Sequence, residues 1–178
     1  MPRVNSFPFD TVLGVVDNEP WRKAEVLKED FEQFLAEKRV AFVGASRNAA
    51  KFSNKIYEKL KESGYELHPV HPEMESVDGD GCVASISQLP GEVRTLMVIA
   101  GPDVCAKTLA DVSGTNLSRI WLFSGKKNRP DVEGQIRRLT GEGVKVISGF
   151  CPFMFLEPVG SVHSVHRFIA RLFGQYPK

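Results

Sequence analysis

The chain has no cysteine pair, no long apolar run and no excess of one charge, and each absence removes a class of function. Its three cysteines, Cys82, Cys105 and Cys151, are far apart and form no C-x-x-C pair. They are expected to be reduced thiols, not a disulfide frame or a metal knuckle. No stretch approaches the roughly 20 apolar residues needed to cross a bilayer. The opening MPRVNSFPFD lacks the basic start and apolar block of a secretory signal. A cytoplasmic protein without membrane contact is therefore expected. The net charge is +1, and beyond GKKNR and QIRRL no basic cluster stands out, so nucleic acid is not an expected partner.

What is present fits one domain. A chain of 178 residues supports one proper core but not two comfortable ones. Strand-like and helix-like segments alternate, the signature of a parallel sheet wrapped by helices. The strands are read at RVAFVGA, YELHPVHP (ended by Pro72), TLMVIA, RIWLFSG and VKVIS, with a further short one near Cys82–Val83. Helices are read from about Ser53 to Gly64, from Pro102 to Gly114 and over RPDVEGQIRRLTGEG, with a helical turn at SISQLP. The expected fold is α/β, a Rossmann-like doubly wound, mostly parallel sheet of five or six strands.

Two flanks lie outside that core. Residues 18–38 read as an amphipathic helix with Trp21, Ala24, Leu27, Phe31 and Leu35 on one stripe, capped by Asn18 with Pro20 in the first turn. SVHSVHRFIARLFG repeats the pattern with Val162, Val165, Ile169 and Leu172. The expected organisation is an N-terminal extension over 1–38, a Rossmann-like domain over 39–155 and a C-terminal helix over 156–178 packed on the same domain.

The stretch RVAFVGASRNAAKFSNKI, Arg39 to Ile56, has the outline of a phosphate-binding loop. The dinucleotide fingerprint G-x-G-x-x-G/A is met at Gly44 and Ala49, but its middle position is Ser46. The loop before the helix is long, and the second strand ends His68-Pro69-Val70-His71-Pro72 without the acid that binds a ribose. Both features count against NAD. His71 or Arg47 would suit an added ribose phosphate, which NADP and coenzyme A both carry. No GxxxxGK[ST] motif is present, which removes a nucleoside triphosphate. What remains is a helix N-terminus near Ser46, Arg47, Lys51 and Ser53, suited to an anion; the alternative is a tight turn that binds nothing.

From Arg39 to about Cys151 the chain resembles the standalone CoA-binding domain proteins, small relatives of the N-terminal domain of the succinyl-CoA synthetase α subunit. The matching pieces come in order: VGASR, KFSNKIYEKLKESGYELHPVHP, Gly79, ISQLP, IWLFSG ending in Gly125, and GVKVISGFCP. IAGPD and Asn48-Ala49-Ala50 depart from the family pattern. The resemblance implies coenzyme A or an acyl-CoA lying along the carboxyl ends of the strands. Gly44, Ala45, Ser46 and Arg47, with the helix start Lys51, Phe52 and Ser53, would face its phosphates. Val70, His71 and Pro72 would lie near adenine and ribose. Ala100, Gly101 and Pro102 would border the pantetheine or the ADP edge.

Catalytic chemistry is harder to find. His68, His71, His163 and His166 include an HxxH pair, but no third metal ligand accompanies it. Cys151 follows the last strand, where a CoA thiol would arrive, and is read as a small buried thiol before Pro152. Glu157 and Asp103 are lone carboxylates. The expected function is a CoA-binding or regulatory module without catalysis. The alternatives are an NAD(P)-binding redox protein or sensor, or a docking subunit for a synthetase-like partner; a homodimer fits the helical flanks.

Overall fold

The computed structural model describes residues 26–124 and 129–156. In chain order the elements begin with α1 (Lys28–Ala36), β1 (Arg39–Val43), α2 (Phe52–Glu62) and β2 (Glu66–Val70). A hairpin of β3 (Ser76–Val77) and β4 (Asp80–Gly81) follows, then a 3-10 turn at Ile86–Gln88 and β5 (Thr95–Val98). The rest comprises α3 (Pro102–Ala110), β6 (Arg119–Leu122), α4 (Pro130–Gly141), β7 (Lys145–Ser148) and a 3-10 turn at Pro152–Met154.

Five strands form one parallel sheet in the order β2-β1-β5-β6-β7. Strand side chains alternate between two cores. Val40, Phe42, Met97, Trp121 and Ile147 face α1 and α2, while Ala41, Val43, Leu96, Val98, Ile120 and Leu122 face α3 and α4. Burial on both faces explains why the strands read as nearly continuous apolar runs. The fold is the Rossmann-like α/β sheet that the alternation of segments predicts.

The first core is aromatic. Phe31 and Phe34 of α1 meet the Trp121 ring at centroid distances of 5.0 and 5.4 Å, and Phe155 stacks on Phe31 at 4.1 Å. The Trp121 indole N–H donates to the Phe150 carbonyl at 2.9 Å, the partner a buried tryptophan needs. Asp30 ties α1 down: one oxygen accepts the Leu27 N–H at 2.8 Å and the other lies 3.0 Å from Lys145 Nζ.

Several expectations shift in detail. The N-terminal stripe is carried by Phe31 and Phe34, whereas Leu27 precedes the helix and is exposed. Asn18, Pro20, Trp21 and Ala24 lie outside the described residues, as do the C-terminal stripe, Gly125 and the HxxH pair. β2 stops at Val70, two residues before Pro72, and contains Pro69. Proline is tolerated because β2 is an edge strand: the Pro69 carbonyl accepts from the Val83 N–H at 3.0 Å on the outer side, the side its missing N–H would face. The expected strand at Cys82–Val83 is a single bridge between Val83 and Val70, preceded by the hairpin, whose Asp78-Gly79 turn has positive φ at both residues. No helix among the described residues is long and apolar enough to cross a membrane.

Candidate functional site

The chain leaves β1 outward through α2 to β2 on one face of the sheet, and leaves β5 outward through α3 and α4 on the other. The loops after β1 and β5 therefore diverge, and a crevice opens above the carboxyl ends of the strands. A cleft of about 950 Å³ occupies that position. Every strand of the sheet contributes to it: Val43 to Ser46 after β1, Val70 to Pro72 after β2, Ile99 to Gly101 after β5, Phe123 and Ser124 after β6, and Cys151 after β7. Lys51, Phe52 and Ser53 at the start of α2 form one wall; Val104, Lys107, Thr108 and Asp111 of α3 form another.

Gly44 sits at the divergence. Its φ is +118°, and a Cβ there would lie 2.1 Å from the Ile99 carbonyl oxygen. The first glycine of the loop is thus demanded by the protein's own backbone, where the two halves of the sheet meet.

The loop between β1 and α2 is held by Asn54. Its Oδ1 accepts the Ser46 N–H at 3.0 Å, and its Nδ2 donates to the carbonyls of Ser46 at 2.7 Å and Asn48 at 3.1 Å. The Ser46 hydroxyl accepts the Asn48 N–H at 3.2 Å and keeps its own proton to give. The serine at the fingerprint's middle position therefore offers its hydroxyl to a ligand, because its N–H is already taken.

Two hydroxyls in the cleft stand out. Ser53 is 5% exposed and Thr108 is 8% exposed, both line the cleft, and neither side chain has a hydrogen-bond partner among the described residues. Neither oxygen is sealed from solvent: both open into the cleft, where a bound molecule can supply the partner. Ser53 lies in the first turn of α2, where the N–H groups of Phe52 and Ser53 have no carbonyl within the helix to bond. The helix dipole and Lys51 add positive potential at the same place. That end of the cleft suits an anion.

The basic side chains divide. Lys51 and Lys107 line the cleft, but Arg47 does not: its Nη2 donates to the Glu73 carbonyl at 3.2 Å and its Nη1 lies 3.9 Å from the Glu73 carboxylate. The acid nearest the tip of β2 is thereby turned toward Arg47 instead of the cleft. His71 lines the cleft and accepts the Glu73 N–H on Nδ1 at 3.1 Å, so the neutral ring carries its proton on Nε2. Burial raises the Cys151 thiol above its ordinary pKa, which keeps it protonated.

Of the residues expected from the sequence, Gly44, Ala45, Ser46, Lys51, Phe52, Ser53, Val70, His71, Pro72, Ala100 and Gly101 line the cleft together. Pro102 begins α3 without lining it, and Gly125 is outside the described residues. The α3 wall, Ser85 and Ile86 of the turn after β4, and Phe123 were not expected. The 104, 107, 108, 111 spacing marks one helix face, but its mixed polarity gives no apolar stripe to read. Among the described residues no group of three His, Cys, Asp or Glu side chains could hold a metal ion.

A family model described as a CoA binding domain matches residues 38–157. Over 105 residues the chain is 23% identical to the alpha subunit of acetate–CoA ligase (ADP-forming) II of Pyrococcus furiosus, covering 58% of this chain and 23% of that subunit. The chain thus spans about a quarter of that relative's length. A conserved hypothetical protein of Pyrococcus furiosus has a similar structure, with a TM-score of 0.57 and 28% identity over 65% of this chain and 96% of that one. The dinucleotide forming acetyl-coenzyme A synthetase 1 of Ca. Korarchaeum cryptofilum shares the fold, with a TM-score of 0.54 and 22% identity over 61% of this chain and 25% of its own.

Proposed function

This chain belongs to the CoA binding domain family, and from that premise we propose that it binds coenzyme A or an acyl-CoA in the cleft, as a binding or regulatory module without a reaction of its own. The observation that carries the reading is the Ser53 hydroxyl at the start of α2, without a protein partner and open to the cleft beside the divergence of β1 and β5. Ser53, the free N–H groups of the first turn, the Ser46 hydroxyl and Lys51 take the diphosphate. Val70, His71 and Pro72 border the adenine and ribose, with His71 Nε2 as a donor toward the 3′-phosphate. The backbone at Ala100 and Gly101 guides the pantetheine onward.

Thermal melts of the purified chain with millimolar CoA, dephospho-CoA, NAD, NADPH and ATP test it. A ligand at 100 times its Kd adds about 2.7 kcal/mol, a shift of several degrees. CoA should give that shift and dephospho-CoA a smaller one. A shift with NADPH alone would instead establish a redox protein on this fold, and no shift with any of the five sinks the binding reading.

A second role is compatible with the first. Similar domains occupy about a quarter of longer synthetase chains, which favours this one docking onto a catalytic partner. Co-purification with a larger ATP-binding chain is the check.

A further inference from the structure

The cleft crosses the row of strand ends in the order β2, β1, β5, β6, β7, and its two ends differ in chemistry. The β2–β1 end carries His71, Ser46, Ser53, Lys51 and the α2 N-terminus. The far end is made by Phe123 and Ser124 after β6 and Cys151 after β7, none of them charged. Phe52 joins them. Its ring lies 5.7 Å from that of Phe123 and 5.6 Å from that of Phe153, yet the residue is 41% exposed. Three large apolar side chains are exposed among the described residues, Leu27, Phe52 and Val104, and the last two both open into this cleft. Apolar surface left open inside a concave site marks the place where a ligand's apolar part belongs.

Length decides which part of the ligand arrives there. On the CoA reading, which this step requires, the diphosphate is anchored beside β1, and the pantetheine must pass β5 and β6 to reach β7. Three strand spacings of about 4.8 Å make ~14 Å. Pantetheine, with its two amides, is about as long as four extended residues, ~14 Å at about 3.5 Å each. The two lengths agree. The sulfur is delivered between Phe52, Phe123 and Cys151, and because the Cys151 thiol stays protonated it serves as a neutral wall, not a nucleophile.

We propose that the β6–β7 end of the cleft is a seat for the acyl group of an acyl-CoA, and that it selects an uncharged apolar acyl group, aromatic or of medium chain length, over acetyl and over a dicarboxylic acyl group. The selectivity comes from Phe52, whose ring packs against those of Phe123 and Phe153.

Isothermal titration of the full chain with CoA, acetyl-CoA, succinyl-CoA and phenylacetyl-CoA tests this. Phenylacetyl-CoA should bind about tenfold tighter than acetyl-CoA, and succinyl-CoA no tighter than CoA. In Phe52→Ala the ratio of phenylacetyl-CoA to acetyl-CoA affinity should fall toward one, and in the milder Phe153→Leu it should fall part of the way. Equal affinities for all four ligands overturn the acyl seat while leaving the CoA reading intact. A selectivity that survives both substitutions overturns the assignment to Phe52. Failure of CoA itself to bind removes the premise, and is recognised before any acyl-CoA is compared.

Discussion

Asn54 grips the peptide of Ser46 on both sides, accepting its N–H at 3.0 Å and donating to its carbonyl at 2.7 Å. A side chain on the helix thus does for the loop what a neighbouring strand does for a β-residue. It satisfies the backbone and fixes the loop before any ligand arrives, which lowers the ordering cost of binding.

Asn54→Ala should therefore weaken both stability and binding. Losing its hydrogen bonds costs about 2 kcal/mol, a fall in Tm of roughly 4–8 °C for a chain of this size. Calorimetry measures the first loss and CoA titration the second. An unchanged Tm would show that the loop holds its shape without the asparagine.

Ser53→Ala should behave in the opposite way. The hydroxyl has no protein partner to lose, so stability should move by no more than about 0.5 kcal/mol. CoA affinity should drop about tenfold, the worth of one hydrogen bond to a charged group. A large loss of stability with intact affinity would make the serine structural.

Lys51 and Arg47 should separate under the same substitution. Lys51→Met removes a charge lining the cleft and should weaken CoA about tenfold at low salt, less at high salt. Arg47→Met breaks only an exposed pairing with Glu73 and should change affinity by less than about threefold, since exposed ion pairs are worth about 0–1 kcal/mol. The reverse ranking would mean that Arg47 swings into the cleft on binding.

Tyr57 gives the fold an alkaline limit. Burial, followed by its 2.7 Å hydrogen bond to Asp80, raises the phenol well above its ordinary range. The raised group stays protonated in the folded state after the unfolded one has ionised. Its contribution is complete below about pH 10, the unfolded value, and is lost as pH rises beyond it. The slope approaches about 1.4 kcal/mol per pH unit. Urea unfolding between pH 8 and 11 should show a shallower loss in Tyr57→Phe than in the wild type; equal slopes would acquit the phenol.

Local signals in the sequence revealed the sheet and its helices but not the shape of the loops. The α2 start is legible to within one residue, Ser53 against the observed Phe52, because the apolar spacing of Ile56, Tyr57 and Leu60 fixes the helix phase. The edge position of β2 is hinted at by Pro69, though the bridge to Val83 that absorbs the proline is a tertiary fact. Arg47 shows the limit. Its place in the loop suggests a phosphate ligand, and its pairing with Glu73, 26 residues away, is one that nothing local announces. Phe34 falls outside the stripe that Leu27 and Leu35 phase, whereas Trp121, far along the chain, makes Phe31 and Phe34 the inward pair.

The cleft takes residues from the ends of all five parallel strands. No single crossover can fray without dismantling it, so a bound molecule would couple segments that otherwise open independently. Amide hydrogen exchange on ligand addition should then slow across the whole sheet, edge strands included, and not merely in the loops that touch the ligand. Occupancy would be sensed as cooperativity of the entire domain, a signal that any partner gripping its far side could read.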